Sequence, residues 1–286
     1  MCGITGFVDW EKPISRPAID SMTGTLSPRG PDASGVWTGP HVALGHTRLI
    51  VLDPVGGAQP MHVDDPAGSL VLTYSGEVYN HAALRRELSS RGHVFSTRSD
   101  TEVVLRAWLE WGPDCVDRLA GMYAFAVWDR RSEQLWLVRD RLGIKPLFYA
   151  STPTGLVFGS EPKALLAHPD VDAVVDEHGV AELFGLAPMT APGSAVLRGI
   201  VDQRPASVVR VDRAGIHTRT YWELPVRDHS DDLPTTVATV RAHLERIVTE
   251  QLVADVPVSA LLSGGVDSSA IAALATRLRG ADAVPP

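Results

Sequence analysis

Short runs of β-forming residues recur through the first half of this chain. They are ITGFV (4–8), VALGH (42–46), SLVLTY (69–74), MYAFAVW (122–128) and QLWLVRD (134–140), each bounded by Gly, Pro, Asp or Asn. A single strand of this kind cannot hide its apolar side chains, so the runs must pair into sheets with at least one covered face. MYAFAVW and QLWLVRD flank DRRSE (129–133), which predicts a hairpin. Two helices are predicted between the strands. HAALRRELSSRG (81–92) has Asn80 as its N-cap, Leu84 and Leu88 on one face and Gly92 as its stop; TEVVLRAWLEWG (101–112) follows Asp100 and stops at Gly112. From about 150 to 225 the pattern weakens, with strands at GLVFGS (155–160) and ASVVRVD (206–212) and short helices around Lys163 and Glu182.

The regime changes after WELPVRDHSDDLP (222–234), a polar stretch with prolines at 225 and 234. Val237, Val240, Leu244, Ile247, Val248 and Leu252 then repeat at helical spacing behind a cap at Asp232 or Thr235. VPVSALL (256–262) reads as an apolar strand, SGGVDSS (263–269) as a tight turn, and AIAALATRLRG (270–280) as a helix stopped by Gly280. Helix, strand, Gly-rich turn and helix in that order open an α/β domain built on a parallel sheet.

Composition removes several function classes. A net charge of −8 argues against a nucleic-acid-binding surface. No apolar run is long enough to span a membrane, and the start has neither the basic region nor the apolar core of a signal peptide. Cys2 and Cys115 are too few for a disulfide framework, which points to the cytoplasm. The ten histidines form no close ligand pair, so no metal-binding residue is assigned. His46 and His81 read as structural, and Cys115 as a small buried residue.

The turn in LLSGGVDSS has chemical content. A strand that delivers small residues to a helix N-terminus creates an anion site from free N–H groups and the helix dipole. Gly264 and Gly265 let the backbone approach the anion, and Ser263, Ser268 and Ser269 offer hydroxyls. The turn lacks the lysine of a Walker loop, and Asp267 among phosphates implies Mg2+. The extended string ADVPVSALLSGGVDSS (254–269) resembles the PP-loop of ATP pyrophosphatases, and specifically that of asparagine synthetases. The resemblance implies ATP with Mg2+ as cofactor and Leu262, Ser263, Gly264, Gly265, Asp267 and Ser268 as ATP-binding residues.

Cys2 stands where removal of Met1 would make it the first residue. A free α-amine titrates at roughly 7.7–8.0, so part of it is neutral near pH 7 and can act as base for its own thiol. The thiol needs that help, since its free pKa of about 8.5 leaves little thiolate. SPRGPD (27–32), GHTRLIVLD (45–53), GAQPM (57–61), YSGEVYN (74–80), SDTE (99–102), RDRLGIKPLF (139–148) and SEPKAL (160–165) follow in order. With Cys2 they resemble the class II glutamine amidotransferase domain of the glutamine-hydrolysing asparagine synthetase family.

That resemblance implies an α+β fold: an N-terminal-nucleophile α-β-β-α sandwich over residues 2–225, then a truncated α/β PP-loop domain over 233–286. It implies glutamine, ATP and aspartate as substrates. Cys2 is the nucleophile, and Gly76 and Ser75 complete the catalytic set at the oxyanion. Glutamine is received by Arg48 at its carboxylate and Asp100 at its ammonium, with Glu77 beside Asp100. The backbone of Leu49, Ile50, Val51 and Leu52 lines the pocket with Ser75 and Gly76. Each also has a plainer reading: Arg48 pairs with a nearby Asp, or Asp100 merely caps the helix that starts at Thr101.

Two departures from the family stand out. The family motif reads Asn-Gly-Glu where this chain has Ser75-Gly76-Glu77. Losing one oxyanion donor costs on the order of 10²–10³ in turnover, so weakened glutaminase activity is expected unless Ser75 works through a water or the loop shifts inward. The family's second acidic motif and its pocket for the carboxylate substrate have no counterpart here, so the ligase half is expected to be inactive in this chain. Three readings stay open: a shortened asparagine synthetase, an amidotransferase for another carboxylate, and a glutamine- or partner-binding remnant. A homodimer, or a separate chain that completes the synthetase domain, stays open as partner.

Overall fold

Strand β1 (Gly3–Asp9) is buried at every one of its residues, which an edge strand could not be. It lies between β3 (Val42–Arg48) and β9 (Gly155–Gly159), antiparallel to both. The computed structural model describes residues 1–65, 68–187 and 189–279. It divides the chain into two units, one of residues 1–50 and 55–223, the other of residues 51–54 and those from 224 onward.

The first unit holds two six-stranded sheets. The first runs β10 (Ile200–Asp202), β8 (Phe148–Thr152), β9, β1, β3 and β2 (Ala33–Thr38). The second runs β12 (Gly215–Thr220), β11 (Ser207–Asp212), β7 (Gln134–Arg139), β6 (Gly121–Asp129), β5 (Gly68–Val78) and β4 (Met61–Asp65). The hairpin expected around DRRSE is β6–β7. Three apolar layers hold the sheets and helices together. Ile4, Val8, Leu44, Val71, Leu137 and Phe158 fill the space between the sheets. Phe7, Ile19, Met22, Val157 and Leu165 join the first sheet to α1 (Arg16–Thr25) and α4 (Pro162–Leu166). Leu72, Leu84, Leu88, Val104, Trp108 and Phe125 join the second sheet to α2 (His81–Ser90) and α3 (Asp100–Trp111). This is the α-β-β-α sandwich expected from the sequence.

Parity along β5 decides what its far end can do. Leu70, Leu72, Tyr74 and Val78 face the α2/α3 layer, whereas Val71 faces the first sheet. Thr73 also faces it, its hydroxyl donating to Gly45 O at 3.2 Å. Ser75 and Glu77 share that parity and point the same way.

Asn80 holds the N-cap position of α2, its carbonyl accepting from Leu84 N at 3.1 Å. Its side chain makes no cap; the amide donates to Arg118 O at 2.9 Å and accepts from Ala120 N at 3.0 Å. Long-range partners have taken the side chain. The cap of α3 is Ser99, whose hydroxyl accepts from Thr101 N, which leaves Asp100 inside the first turn with its carboxylate free for other work. The later helices near Lys163 and Glu182 are α4 and α5 (Glu177–Gly185).

In the second unit α6 (Leu233–Gln251) is capped by Asp232, which accepts from Thr235 N, and α7 spans Val266–Arg279. Val248, Leu252 and Ala275 form a small core with Val258, Ala260 and Leu274 against it. Val237, Val240, Leu244 and Ile247, on the same periodic face, stay exposed. The strand expected at 256–262 is absent: the run pairs with nothing among the described residues. An apolar run becomes a strand only with a partner on its edge, and no described strand belongs to this unit. The stop expected at Gly280 lies outside the described residues. No helix among the described residues is long and apolar enough to cross a membrane.

His46 of β3 ties the two sheets together by donating from Nε2 to Tyr74 O at 3.1 Å. Burial, with Arg48 adding to it, pushes its pKa down to about 4. The unfolded chain therefore takes up the proton first as pH falls, and stability drains away from about pH 6.5 toward 4 by up to about 3 kcal/mol. His46→Gln keeps a donor that does not titrate. Urea unfolding at pH 7 and pH 4.5 should show a larger acid loss in the wild type than in this variant; equal losses would remove His46 as the cause.

Candidate active site

Cys2 sits just ahead of β1, outside the ladder that begins at Gly3 and Thr47. Its Sγ accepts from Leu49 N at 3.4 Å and donates to Leu49 O at 3.6 Å. Its carbonyl accepts from Ser75 Oγ at 2.9 Å and Arg29 Nε at 3.0 Å. Arg29 in turn pairs with Glu161 at 2.9 Å, and its Nη2 is buried with no protein partner among the described residues. Burial raises the Cys2 thiol; Leu49 N–H and Arg48 pull it back and Glu77 pushes it further. Burial lowers the chain's terminal amine, that of Met1. A thiol made reluctant to ionise thus lies beside an amine made readier to be neutral.

Gly76 is placed by the geometry of an incomplete sheet edge. Strand β4 pairs with β5 no further than Leu72, so beyond that point one side of β5 is open. Tyr74 N donates into that side to Gln59 Oε1 at 2.7 Å, and Val78 N donates to Asp100 Oδ2 at 3.0 Å. Backbone groups of a strand alternate sides, so the Gly76 N–H lies on this same open side, between the two. The absent side chain has a separate reason: a Cβ there would lie 2.3 Å from Met122 O and 2.7 Å from Tyr123 Cα.

Asp100 accepts from Tyr74 Oη at 2.7 Å as well as from Val78 N. Burial raises its pKa while these hydrogen bonds oppose the rise. Glu77 is pushed up to about 8, first by burial and then by the Asp100 charge, with Lys145 opposing. Arg48 closes β3, buried, and its carbonyl accepts from Asp32 N at 3.0 Å. Asp32 also accepts from Ile50 N at 2.8 Å, which fixes the chain after Arg48. The four-residue run expected to line the pocket is divided: Leu49 and Ile50 belong to the first unit, Val51 and Leu52 to the second, where Val51 O accepts from Asp255 N. His81 bonds Val78 O and His46 bonds Tyr74 O, both as scaffold. Cys115 is fully buried, which raises its thiol pKa.

The sequence reading gave no role to Arg29, Tyr74, Gln59 or Lys145. Lys145 is 4% exposed; burial lowers the pKa of its ammonium, with the Glu77 charge opposing, and it lies 3.2 Å from Met1 Sδ. Asp140 folds the loop that carries it, accepting from Leu142 N, Ile144 N and Lys145 N. Arg29 and Lys145 both lie in quoted segments, SPRGPD and RDRLGIKPLF, and that was the available signal.

In the second unit the Gly-rich turn is exposed from Leu262 to Asp267. Ser263 Oγ and Ser268 Oγ bond each other at 2.9 Å, and Ser268 Oγ donates to Gly265 O at 3.1 Å. Gly264 has φ +83°, a value that suits glycine, although a Cβ there would meet nothing. No group of three or more His, Cys, Asp or Glu able to hold a metal occurs among the described residues.

Residues 1–222 match the family described as glutamine amidotransferase domain. The chain belongs to that family. Beyond its glutamine amidotransferase domain, residues 239–283 match the family described as asparagine synthase. The chain is 49% identical over 277 residues to glutamine-hydrolyzing asparagine synthetase 3 of Bacillus subtilis (strain 168), covering 96% of this chain and 45% of that protein. It is 35% identical over 284 residues to glutamine-hydrolyzing asparagine synthetase 3 of Arabidopsis thaliana, covering 97% and 43%. The chain thus spans less than half the length of these curated relatives. The amidotransferase sandwich is shared with glutamine phosphoribosylpyrophosphate amidotransferase from B. subtilis, at a TM-score of 0.57 and 18% identity, covering 96% of this chain and 64% of that one.

Gly76→Ala tests the edge geometry of this amidotransferase domain. The new methyl must displace Met122 and Tyr123 backbone, at a cost of about 1–3 kcal/mol. Thermal unfolding should show that loss, and an unchanged midpoint would mean β5 and β6 part more easily than the geometry allows.

Proposed function

We propose that residues 2–225 hydrolyse glutamine to glutamate and ammonia, and that in the whole protein the ammonia amidates an AMP-activated aspartate in a domain beginning near residue 233. The observation that carries this reading is Cys2 held at both its thiol and its carbonyl, across from the open edge of β5 at Gly76. Removal of Met1 hands the α-amine to Cys2. The neutral amine takes the thiol proton, and Sγ attacks the carboxamide carbon of glutamine. The oxyanion that forms is received by Gly76 N–H. The amine returns its proton to the leaving nitrogen, ammonia departs, and water opens the thioester to give glutamate. Arg48 grips the glutamine carboxylate with two parallel hydrogen bonds, and Asp100 with Glu77 receives the ammonium.

For the second activity, ATP is proposed to meet the turn at Leu262, Ser263, Gly264, Gly265, Asp267 and Ser268. The donor set suits phosphates: the turn is exposed, its two serine hydroxyls bond only within the turn and could exchange those bonds for phosphate oxygens, and the first turn of α7 presents backbone N–H groups. Asp267 would hold Mg2+ there, and ATP would supply the adenylyl group that activates a carboxylate.

Intact-mass measurement should show loss of Met1, and Cys2→Ala should abolish glutamine hydrolysis. Full activity in protein that keeps Met1 would refute the amine's role. Arg48→Lys keeps the charge and loses the fork, so KM for glutamine should rise about tenfold or more. An unchanged KM would return Arg48 to a structural role.

A further inference from the structure

Cys2 lies one residue from the start of the chain and has an unusual problem. It lies outside the β1 ladder, so no neighbouring strand receives its carbonyl. Once Met1 is removed, its nitrogen is a base and no longer a peptide link. Terminal residues fray unless something ties them down. Two side chains do so here, Ser75 Oγ at 2.9 Å and Arg29 Nε at 3.0 Å, both on the carbonyl oxygen. Ser75 is 1% exposed and reaches Cys2 from the opposite sheet.

Counting protons decides what Ser75 can contribute. A serine hydroxyl has one proton to donate, whereas an asparagine amide has two. That one proton is on Cys2 O, so none is left for an oxyanion. We infer that Ser75 is a positioning residue that anchors the nucleophile's own carbonyl, and that Gly76 N–H receives the oxyanion without side-chain help from position 75. The kinetic part of this inference rests on the glutaminase reading above; the anchoring part does not.

The chain has two cysteines, so protein made with carbonyl-13C cysteine gives two labelled carbonyl signals, and buried Cys115 serves as internal control. In Ser75→Ala the Cys2 carbonyl signal should move while that of Cys115 stays. With glutamine, kcat should fall about tenfold, the equivalent of one hydrogen bond, with KM within about twofold. A Cys2 signal that stays put in Ser75→Ala overturns the anchor. A signal that moves with kcat unchanged overturns its role in positioning. If the wild type turns over no glutamine, the glutaminase reading fails, and the carbonyl signal still decides whether Ser75 holds Cys2.

Discussion

The site depends on β1 being buried along its whole length. A strand covered on both faces and paired on both edges lies in the interior of its sheet, and it carries the start of the chain with it. Cys2 therefore reaches the rim of the space between the sheets, where β5 of the facing sheet passes with Ser75 and Glu77 turned toward it. Each later element serves this placement. Strand β3 brings Arg48 and the Leu49 backbone alongside, α3 brings Asp100 beneath β5, and the Asp140 loop brings Lys145.

Burial then sets the chemistry. The thiol, the terminal amine, Glu77, Asp100 and Lys145 all shift toward their neutral forms because water is excluded. Glu77 and Lys145 limit each other's shift, since opposite charges favour keeping both. The same pocket holds Tyr74, whose hydroxyl is pinned as a donor to Asp100 and whose own ionisation is driven well upward. A residue counted as core on one face of β5 is thus a polar partner at its tip.

What could be read in the sequence followed local pattern. The β6–β7 hairpin and the helices after Asn80 and Ser99 announce themselves through alternation, helical spacing and glycine stops. Short or exposed strands such as β2 and β10 do not, since few of their residues are buried. The run at 256–262 has a strand's composition without a strand's partners, which no local reading can detect. At the candidate site, Cys2, Gly76 and Asp100 carry residue types that suit the chemistry proposed for them. Arg29 and Lys145 look like ordinary surface cations until the fold covers their side chains. The bond from Ser75 to Cys2 joins residues far apart in sequence and depends on the facing of two sheets, so spacing could not reveal it.

The open edge of β5 has a consequence for solubility. A strand with unfilled donors on one side is a template on which another chain can zip. Here the donors on either side of Gly76 are taken by side chains, Gln59 on Tyr74 and Asp100 on Val78. An incoming strand would have to displace both to lay down even three residues, whereas a small amide needs the one position between them. The two side chains thus cap the open edge against strand addition while leaving the single position proposed for the substrate.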